Sequence, residues 1–238
     1  MNRLPVLLLL SLVFLLSGCS FLPVRPTQGQ AIIDWVDFVK LNGHTYTSVW
    51  NRALADPKLV GEEAGHVNFK VADVVTDPYY RTQDGDAAFL GIGTKLYRVE
   101  GFSKEELLAA PDPNQPQGYR LYATEGAVQR ASSIFDDLTA NRISRIELYA
   151  DYWRTPPFRT LVQAEKDAFF RLLASGLDSP GYSPFTQSGD PAYTQMVLYT
   201  GEPLAYTFSL ADDGRHVFFH PQETRLVDNA IRAYLQQP

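Results

Sequence analysis

The chain has 238 residues, with 21 Lys and Arg against 27 Asp and Glu, and its formal net charge at pH 7 is −6. This balance argues against nucleic acid as a partner and against electrostatic adhesion to anionic lipid, because both require a basic surface. The one cysteine, Cys19, excludes an internal disulfide, so the folded part must be stabilised by its core.

The N-terminus has the pattern of an export signal. Met1-Asn2-Arg3 precedes an apolar run over 4–16, which is shorter than the roughly 20 residues that a transmembrane helix needs. The segment Leu-Ser-Gly-Cys at 16–19 resembles the lipobox of bacterial lipoproteins, in which the cysteine thiol accepts a diacylglyceryl group before cleavage. We therefore expect residues 1–18 to be a signal peptide and Cys19 to be the lipid-attachment residue.

Residues 19–30 are expected to form a lipidated tether, because Pro23, Pro26 and Gly29 oppose regular structure. Residues 20–30 reach at most about 36 Å when fully extended. The predicted location is therefore the extracytoplasmic face of a membrane, whether inner or outer, with the folded part held close to the bilayer.

The segment 31–125 is predicted to be a β-rich domain. Asn42-Gly43 is a strong two-residue hairpin signal between short strands within 36–49. The loop signal is strongest over 111–116, where three prolines occur. Further strands are expected at 66–75, 87–90, 95–99 and 119–123, with 87–90 and 95–99 paired to each other.

The segment 126–238 is predicted to be an α+β domain, either separate from the first half or fused with it into one core. The helix expected over 163–175 ends at Gly176, and a second helix is expected over 222–235. The predicted fold class is therefore α+β, with an antiparallel sheet and one or two helices packed on one face of it. The remaining predictions are a weak helix at 127–138 and strands at 145–150, 195–199, 204–210 and 216–219.

One loop, 77–86, joins adjacent tyrosines, an arginine and carboxylates, a combination frequent at binding surfaces. We expect it to form a binding patch with residues from the turn and strand that follow. In the alternative interpretation the tyrosines pack onto the sheet and the arginine pairs with a nearby Asp. The predicted patch consists of Tyr79, Tyr80, Arg81, Asp84, Asp86, Thr94 and Tyr97.

No catalytic residue, metal ligand or cofactor is assigned from the sequence. His216 and His220 flank a predicted strand, which would hold their rings roughly 13 Å apart. An EF-hand loop beginning at Asp84 would have Lys95 where the site needs a glutamate. The only thiol is committed to lipid, and no serine lies in a Gly-x-Ser-x-Gly elbow.

Over residues 37–102 the chain resembles a group of uncharacterised extracytoplasmic lipoproteins that is best represented in Gram-positive bacteria. The resemblance implies an anchored location, and it brings no activity or catalytic residue. The motifs that carry it are Asp37-Phe38-Val39-Lys40, Asn42-Gly43, Tyr46, Phe69-Lys70-Val71, Pro78-x-Tyr80, Gly85-Asp86-Ala87-Ala88-Phe89-Leu90, Gly93-Thr94, Tyr97 and Gly101.

These features lead us to expect a membrane-anchored, non-enzymatic binding or accessory protein of the cell envelope, with an envelope protein, peptide or glycan as its partner. One alternative is a hydrolase that acts on cell wall or lipid through scattered carboxylates. Another is a sensor or accessory subunit of a membrane complex. Two facing carboxylates in a cleft would favour the hydrolase, and an exposed aromatic groove without them would favour binding.

Overall fold

The computed structural model describes residues 33–127, 135–150 and 156–236. The expected signal peptide, Cys19, the tether and most of the expected weak helix lie outside the described residues. Within the described ranges, no helix has the length and apolar character needed to cross a membrane.

The described residues form mostly β-structure, arranged as two largely antiparallel sheets with few helices. The helices that lie wholly within the described ranges are α1 (Gln163–Ala174) and α2 (Arg232–Leu235), and short 3-10 turns occur between strands. The strands are β1 (Phe38–Leu41), β2 (His44–Ser48), β3 (Arg52–Leu54), β4 (Val60–His66), β5 (Phe69–Lys70), β6 (Asp86–Ala87), β7 (Lys95–Val99), β8 (Leu107–Pro111), β9 (Tyr119–Ala123), β10 (Arg145–Tyr149), β11 (Arg159–Leu161), β12 (Leu177–Asp178), β13 (Ala192–Tyr199), β14 (Leu204–Asp212), β15 (Val217–Phe219) and β16 (Arg225–Val227).

The first sheet has the strand order β4-β7-β8-β9-β2-β1-β6-β5. The predicted hairpin is confirmed: β1 and β2 pair with Leu41 opposite His44. Asn42 and Gly43 have φ values of 52° and 79°, so both turn residues are left-handed, as a two-residue hairpin requires.

This first sheet is curled, because its outermost strands, β4 and β5, are joined by only Val67 and Asn68. The amide of Val67 donates to the carbonyl of Thr94, and the amide of Asn68 donates to that of Gly85. The interior of the curl is filled by side chains from six strands and from this connection. They are Val39, Leu41, Tyr46, Val67, Ala87, Leu96, Leu108, Ala110 and Tyr122.

The second sheet has the order β11-β10-β13-β14-β15-β16-β12, and β3 adds to it by pairing with β14. The strands predicted at 145–150, 195–199, 204–210 and 216–219 are present as β10, β13, β14 and β15. Helix α1 forms where it was predicted, and its Phe169 and Leu173 belong to the core cluster that includes Ile146 and Leu198 of the sheet.

The two sheets are connected where the chain passes from β2 to β3. Ala53 of β3 lies opposite Ala205 of β14, so residues only a few positions beyond β2 are part of the second sheet. Leu54 and Leu204 pack into a cluster with Leu107 and Leu121, which lie on the outer face of the first sheet. A bend at Trp50 and Asn51 marks the point at which the chain changes sheets.

The helix predicted over 222–235 is wrong over most of its length. Residues Arg225–Val227 form β16, which pairs with β15 and β12, because ladder hydrogen bonds outweigh the modest helix propensity of this segment. Asp228 then accepts a hydrogen bond from the amide of Ala230 and starts a 3-10 turn that leads into α2.

Two details of the first half also differ from prediction. Strands 87–90 and 95–99 do not pair with each other, since β6 pairs with β1 and β5 while β7 pairs with β4 and β8. Of the strand expected over 66–75, only His66, at the end of β4, and Phe69–Lys70 of β5 lie in the sheet, and Val71–Asp73 forms a 3-10 turn. Strand β4 had no counterpart in the predictions, because its two glycines and two glutamates give it no apolar alternation.

Candidate functional site

The bend between β2 and β3 has a backbone that is fixed by hydrogen bonds and an aromatic side chain, that of Trp50, that is exposed. Thr207 of β14 donates from its amide to the carbonyl of Asn51 and from its hydroxyl to the carbonyl of Trp50, at 3.1 Å each. The Trp50 side chain is 76% exposed. An indole that is anchored at its backbone and open to solvent can stack against a ligand with little loss of conformational freedom.

The first of two concavities beside Trp50, which we call the acidic basin, has a volume of about 390 Å³. It contains two exposed apolar side chains besides Trp50, namely Val36 at 67% and Phe89 at 47%. Its aromatic wall is fixed, because the Trp35 ring lies 5.9 Å from Phe38 and 6.5 Å from Tyr80. The basin is lined by Asp34, Trp35, Val36, Asp37, Trp50, Phe89 and Arg120.

Asp37 and Arg120 of this basin belong to a partly buried polar network. Nη1 of Arg120 donates to Asp37 and Nη2 to Asp112, both at 2.9 Å. The Tyr122 hydroxyl also donates to Asp37, at 3.1 Å. Burial raises the pKa of Tyr122, and the negative charge of Asp37 raises it further, so the phenol stays protonated and serves as a donor. The two carboxylates are therefore engaged by one guanidinium.

The second concavity, which we call the neutral basin, has a volume of about 370 Å³. It lies over β13, β14 and the end of β15, on the side of the second sheet that bears Gln195 and Ser209. Ser209 donates to Oε1 of Gln195, and Nδ1 of His220 lies 3.1 Å from the hydroxyl of Thr224. The lining residues, which include no Asp, Glu, Lys or Arg, are Trp50, Asn51, Gln195, Thr207, Phe208, Ser209, His220 and Pro221.

The loop predicted as a binding patch is built largely from structural contacts. Tyr80 packs against Phe69, with ring centroids 6.3 Å apart, and its hydroxyl donates to buried Asp86 at 2.9 Å. Asp86 also accepts the amide of Gln83, and Asp84 accepts the amide of Gly43 in the β1–β2 turn.

The other members of the predicted patch differ in their surroundings. Tyr79 is 87% exposed and Arg81 is exposed beside it. Thr94 lies near this loop through the Val67–Asn68 connection. Tyr97 instead packs edge-on against Tyr119, with centroids 6.5 Å apart. Tyr80 contacts the acidic basin through Trp35.

A further polar cluster lies outside both basins, at the turn between β14 and β15. Buried Asp213 accepts hydrogen bonds from the amides of Phe185, Arg215 and His216 and from the Tyr182 hydroxyl. Burial would raise the pKa of Asp213, but these four donors outweigh it and hold that pKa well below its usual value. The hydrogen bonds from Tyr182 and Phe185 hold the 182–185 loop against this turn.

The histidines do not form a shared site. His216 contacts Tyr182, whereas His220 contacts Thr224 at the other end of β15. Within the ranges that the structure describes, no three His, Cys, Asp or Glu side chains converge to hold a metal ion.

Sequence reasoning did not identify Trp35, Trp50 or Phe89 as site residues. Tryptophan beside an apolar strand normally indicates core, and nothing near Trp50 in the sequence shows that its bend is held by Thr207, which is 157 positions away. The one local signal is Trp50-Asn51, where alternation stops and a turn-forming residue follows.

No protein-family model matches this chain, and neither a curated protein nor a solved structure is significantly similar to it. The residues of the two basins are therefore the basis on which its function can be argued.

Proposed function

We propose that this chain is a lipid-anchored binding protein of the bacterial cell envelope, and that it holds its ligand in the groove formed by the two basins and Trp50. The observation that carries the proposal is the exposed Trp50 indole, which stands between two concavities on a backbone fixed by Thr207. Exposed apolar surface rimmed by polar groups marks a binding site more often than an accident of packing.

The carboxylates of the acidic basin are arranged in a way that favours ligand binding rather than hydrolysis. A hydrolase with two carboxylates needs one of them to donate a proton to its substrate and the other to act as base or nucleophile. Two carboxylates line this basin, Asp34 and Asp37. Asp37 is paired with Arg120 and accepts the Tyr122 hydroxyl, so exposed Asp34 has no second unengaged carboxylate in the lining to act with. The lining of the neutral basin contains no carboxylate.

The expected anchor fits this role. If Cys19 carries the lipid, the tether over 19–30 ends only a few residues before Asp34 and Trp35, the first residues of the acidic basin. The groove would then open near the outer face of the membrane, within reach of envelope polymers and of the exposed parts of membrane proteins.

We also infer that the second half has an α+β architecture, in which α1 and the C-terminal turn cover one face of the second sheet. Phe169 of α1 contacts Tyr234 of α2, and both pack on the cluster that includes Ile231 and Phe219. The opposite face of the sheet is then left for the junction with β3 and for the neutral basin.

The test is photocrosslinking of the full-length chain in native envelopes. A photoreactive phenylalanine derivative at position 89, which is 47% exposed in the acidic basin, should give a discrete adduct. The adduct should disappear when Trp50→Ala is added. The same derivative at Tyr193, which is 48% exposed on β13 and lines neither basin, is the matched control. A position-89 adduct that is absent, or that survives Trp50→Ala, would refute the groove as the binding site.

A further inference from the structure

We propose that the ligand is a neutral, hydroxyl-rich glycan chain, with one sugar unit in the neutral basin and the next stacked on Trp50. This inference rests on the proposed function and names the chemical class that the groove selects.

The chemistry of the neutral basin favours a sugar. Ser209 donates to Oε1 of Gln195, which leaves Nε2 of Gln195 available as a donor. The Thr207 hydroxyl donates to the carbonyl of Trp50 and can still accept. The lining therefore offers both donors and acceptors without formal charge, which matches the alternating hydroxyl groups of a pyranose.

Two of these polar groups are held rigidly. Gln195 and Thr207 are 6% and 8% exposed, and they lie on neighbouring strands of the β13–β14 ladder. A polar side chain fixed in a ladder loses little entropy when it binds, so it can distinguish hydroxyl positions. A loose patch of surface polar groups would not have this property.

Trp50 provides the second element of sugar recognition. One face of a pyranose ring carries mainly C–H groups, and these groups pack well on a flat aromatic surface. An indole that is 76% exposed offers such a surface, and both basins meet at it. Each basin has the size of a small-molecule site, which is about 300–1,000 Å³. The groove therefore fits at least two consecutive sugar units.

Charge argues against an anionic glycan. The acidic basin exposes Asp34, and its one cation, Arg120, is already paired with Asp37 and Asp112. The chain as a whole has a net charge of −6. Repeated carboxylates or phosphates on a ligand would meet repulsion without a free cation to offset it.

The experiment titrates the full-length lipidated chain in neutral detergent with linear tetrasaccharides of glucose, N-acetylglucosamine, mannose or galactose. An oligogalacturonate serves as the anionic comparison. Calorimetry reports affinity, and acrylamide quenching of tryptophan fluorescence, compared between wild type and Trp50→Phe, reports shielding of the Trp50 indole. At least one neutral tetrasaccharide should bind and reduce quenching. Trp50→Ala should weaken binding at least tenfold, and Trp50→Phe should retain part of it because a flat ring remains.

The variants are chosen so that folding does not confound the result. Trp50 is exposed, so Trp50→Ala should unfold within a few degrees of the wild type, and Ser209→Ala removes one hydroxyl of the neutral basin. Tyr193→Ala changes an exposed aromatic outside the groove and should bind like the wild type.

The outcomes separate this inference from the proposed function. If no neutral tetrasaccharide binds, or if the oligogalacturonate binds more tightly, the glycan inference is wrong. If in that case the position-89 adduct still depends on Trp50 and is digested by protease, the groove binds a polypeptide and the proposed function stands. If the adduct also fails to depend on Trp50, both are wrong.

Discussion

At the scale of single residues, buried carboxylates in the described ranges are repeatedly paired with tyrosine hydroxyls. A neutral phenol satisfies an ionised carboxylate without bringing a second charge into the core, where unpaired charge is costly. Burial and the neighbouring carboxylate raise the pKa of each phenol, to about 12 for Tyr182 and Tyr199, so these donors stay protonated. The pairs are Asp37 with Tyr122, Asp86 with Tyr80, Glu147 with Tyr149 and Tyr199, and Asp213 with Tyr182.

The Asp213 cluster gives a pH-dependent prediction. Because the folded-state pKa of Asp213 is lowered, its stabilising contribution is complete above the unfolded-state pKa of about 3.9 and declines as the pH falls towards the folded-state value. Asp213→Asn should therefore lower the free energy of unfolding at pH 7 by about 1.5–3 kcal/mol. In urea titrations the difference from wild type should shrink between pH 5 and pH 3. Asp190→Asn, at an exposed carboxylate, is the control, and a pH-independent difference would contradict the mechanism.

At the scale of elements, the sequence predicted those strands whose signals are local. The β1–β2 hairpin follows from Asn42-Gly43, and the β13–β14–β15 meander follows from alternation broken by short turns. Strand β4 was missed because its partner β7 stabilises a segment with no periodicity of its own. Strand β16 was missed because the apolar residues over 222–235 have helical spacing, and its pairing with β12 and β15 cannot be seen in the local sequence.

The candidate site was predictable only in part, for a related reason. The sequence indicated that an exposed aromatic groove would favour binding, but it assigned the aromatics to the Tyr79–Asp86 loop. Tyr80 of that loop packs against Phe69 and donates to Asp86, and the binding patch itself stays a prediction. The more exposed of the two exposed aromatics at the groove, Trp50, depends for its position on a hydrogen bond from a strand far along the chain.

Two turn glycines, Gly43 and Gly85, allow two effects of alanine substitution to be measured separately: backbone strain and the clash of the added Cβ with a neighbour. Gly43 and Gly85 have φ values of +79° and +92°, so alanine is strained at both. A Cβ at Gly43 meets nothing within 4 Å, whereas a Cβ at Gly85 would lie 2.9 Å from the Cβ of Asn68. Gly43→Ala should lower the free energy of unfolding by about 1–2 kcal/mol.

Gly85→Ala should be clearly more destabilising than Gly43→Ala, because it also displaces the Val67–Asn68 connection that closes the first sheet. Chemical denaturation of both variants measures the difference. Equal losses of stability would show that Asn68 can move at little cost and that the connection does not constrain the curl.

At the scale of the whole molecule, β3 makes the two sheets structurally dependent on each other. The chain leaves the first sheet after Ser48 and pairs with Leu204–Tyr206 of β14 within a few residues. Arg52 of β3 then stacks over the Tyr206 ring, with its Cζ 3.6 Å from the centroid. Farther along the junction, Nε2 of Gln117, between β8 and β9, donates to the Tyr199 hydroxyl at 3.0 Å. The groove lies over this junction, so its shape depends on both halves.

The last prediction concerns cooperativity. Leu54 is fully buried and packs against Leu204 of the second sheet and Leu121 of the first, so both halves lose contacts when it is truncated. We expect the full-length chain to unfold in one calorimetric transition, with equal calorimetric and van't Hoff enthalpies. Leu54→Ala should move that single transition to lower temperature, with a loss of about 2–5 kcal/mol. Leu148→Ala, in the core of the second sheet away from the junction, should shift the same transition. Two separate transitions, with only one of them moved by Leu148→Ala, would show that the halves fold independently and that the groove joins two autonomous domains.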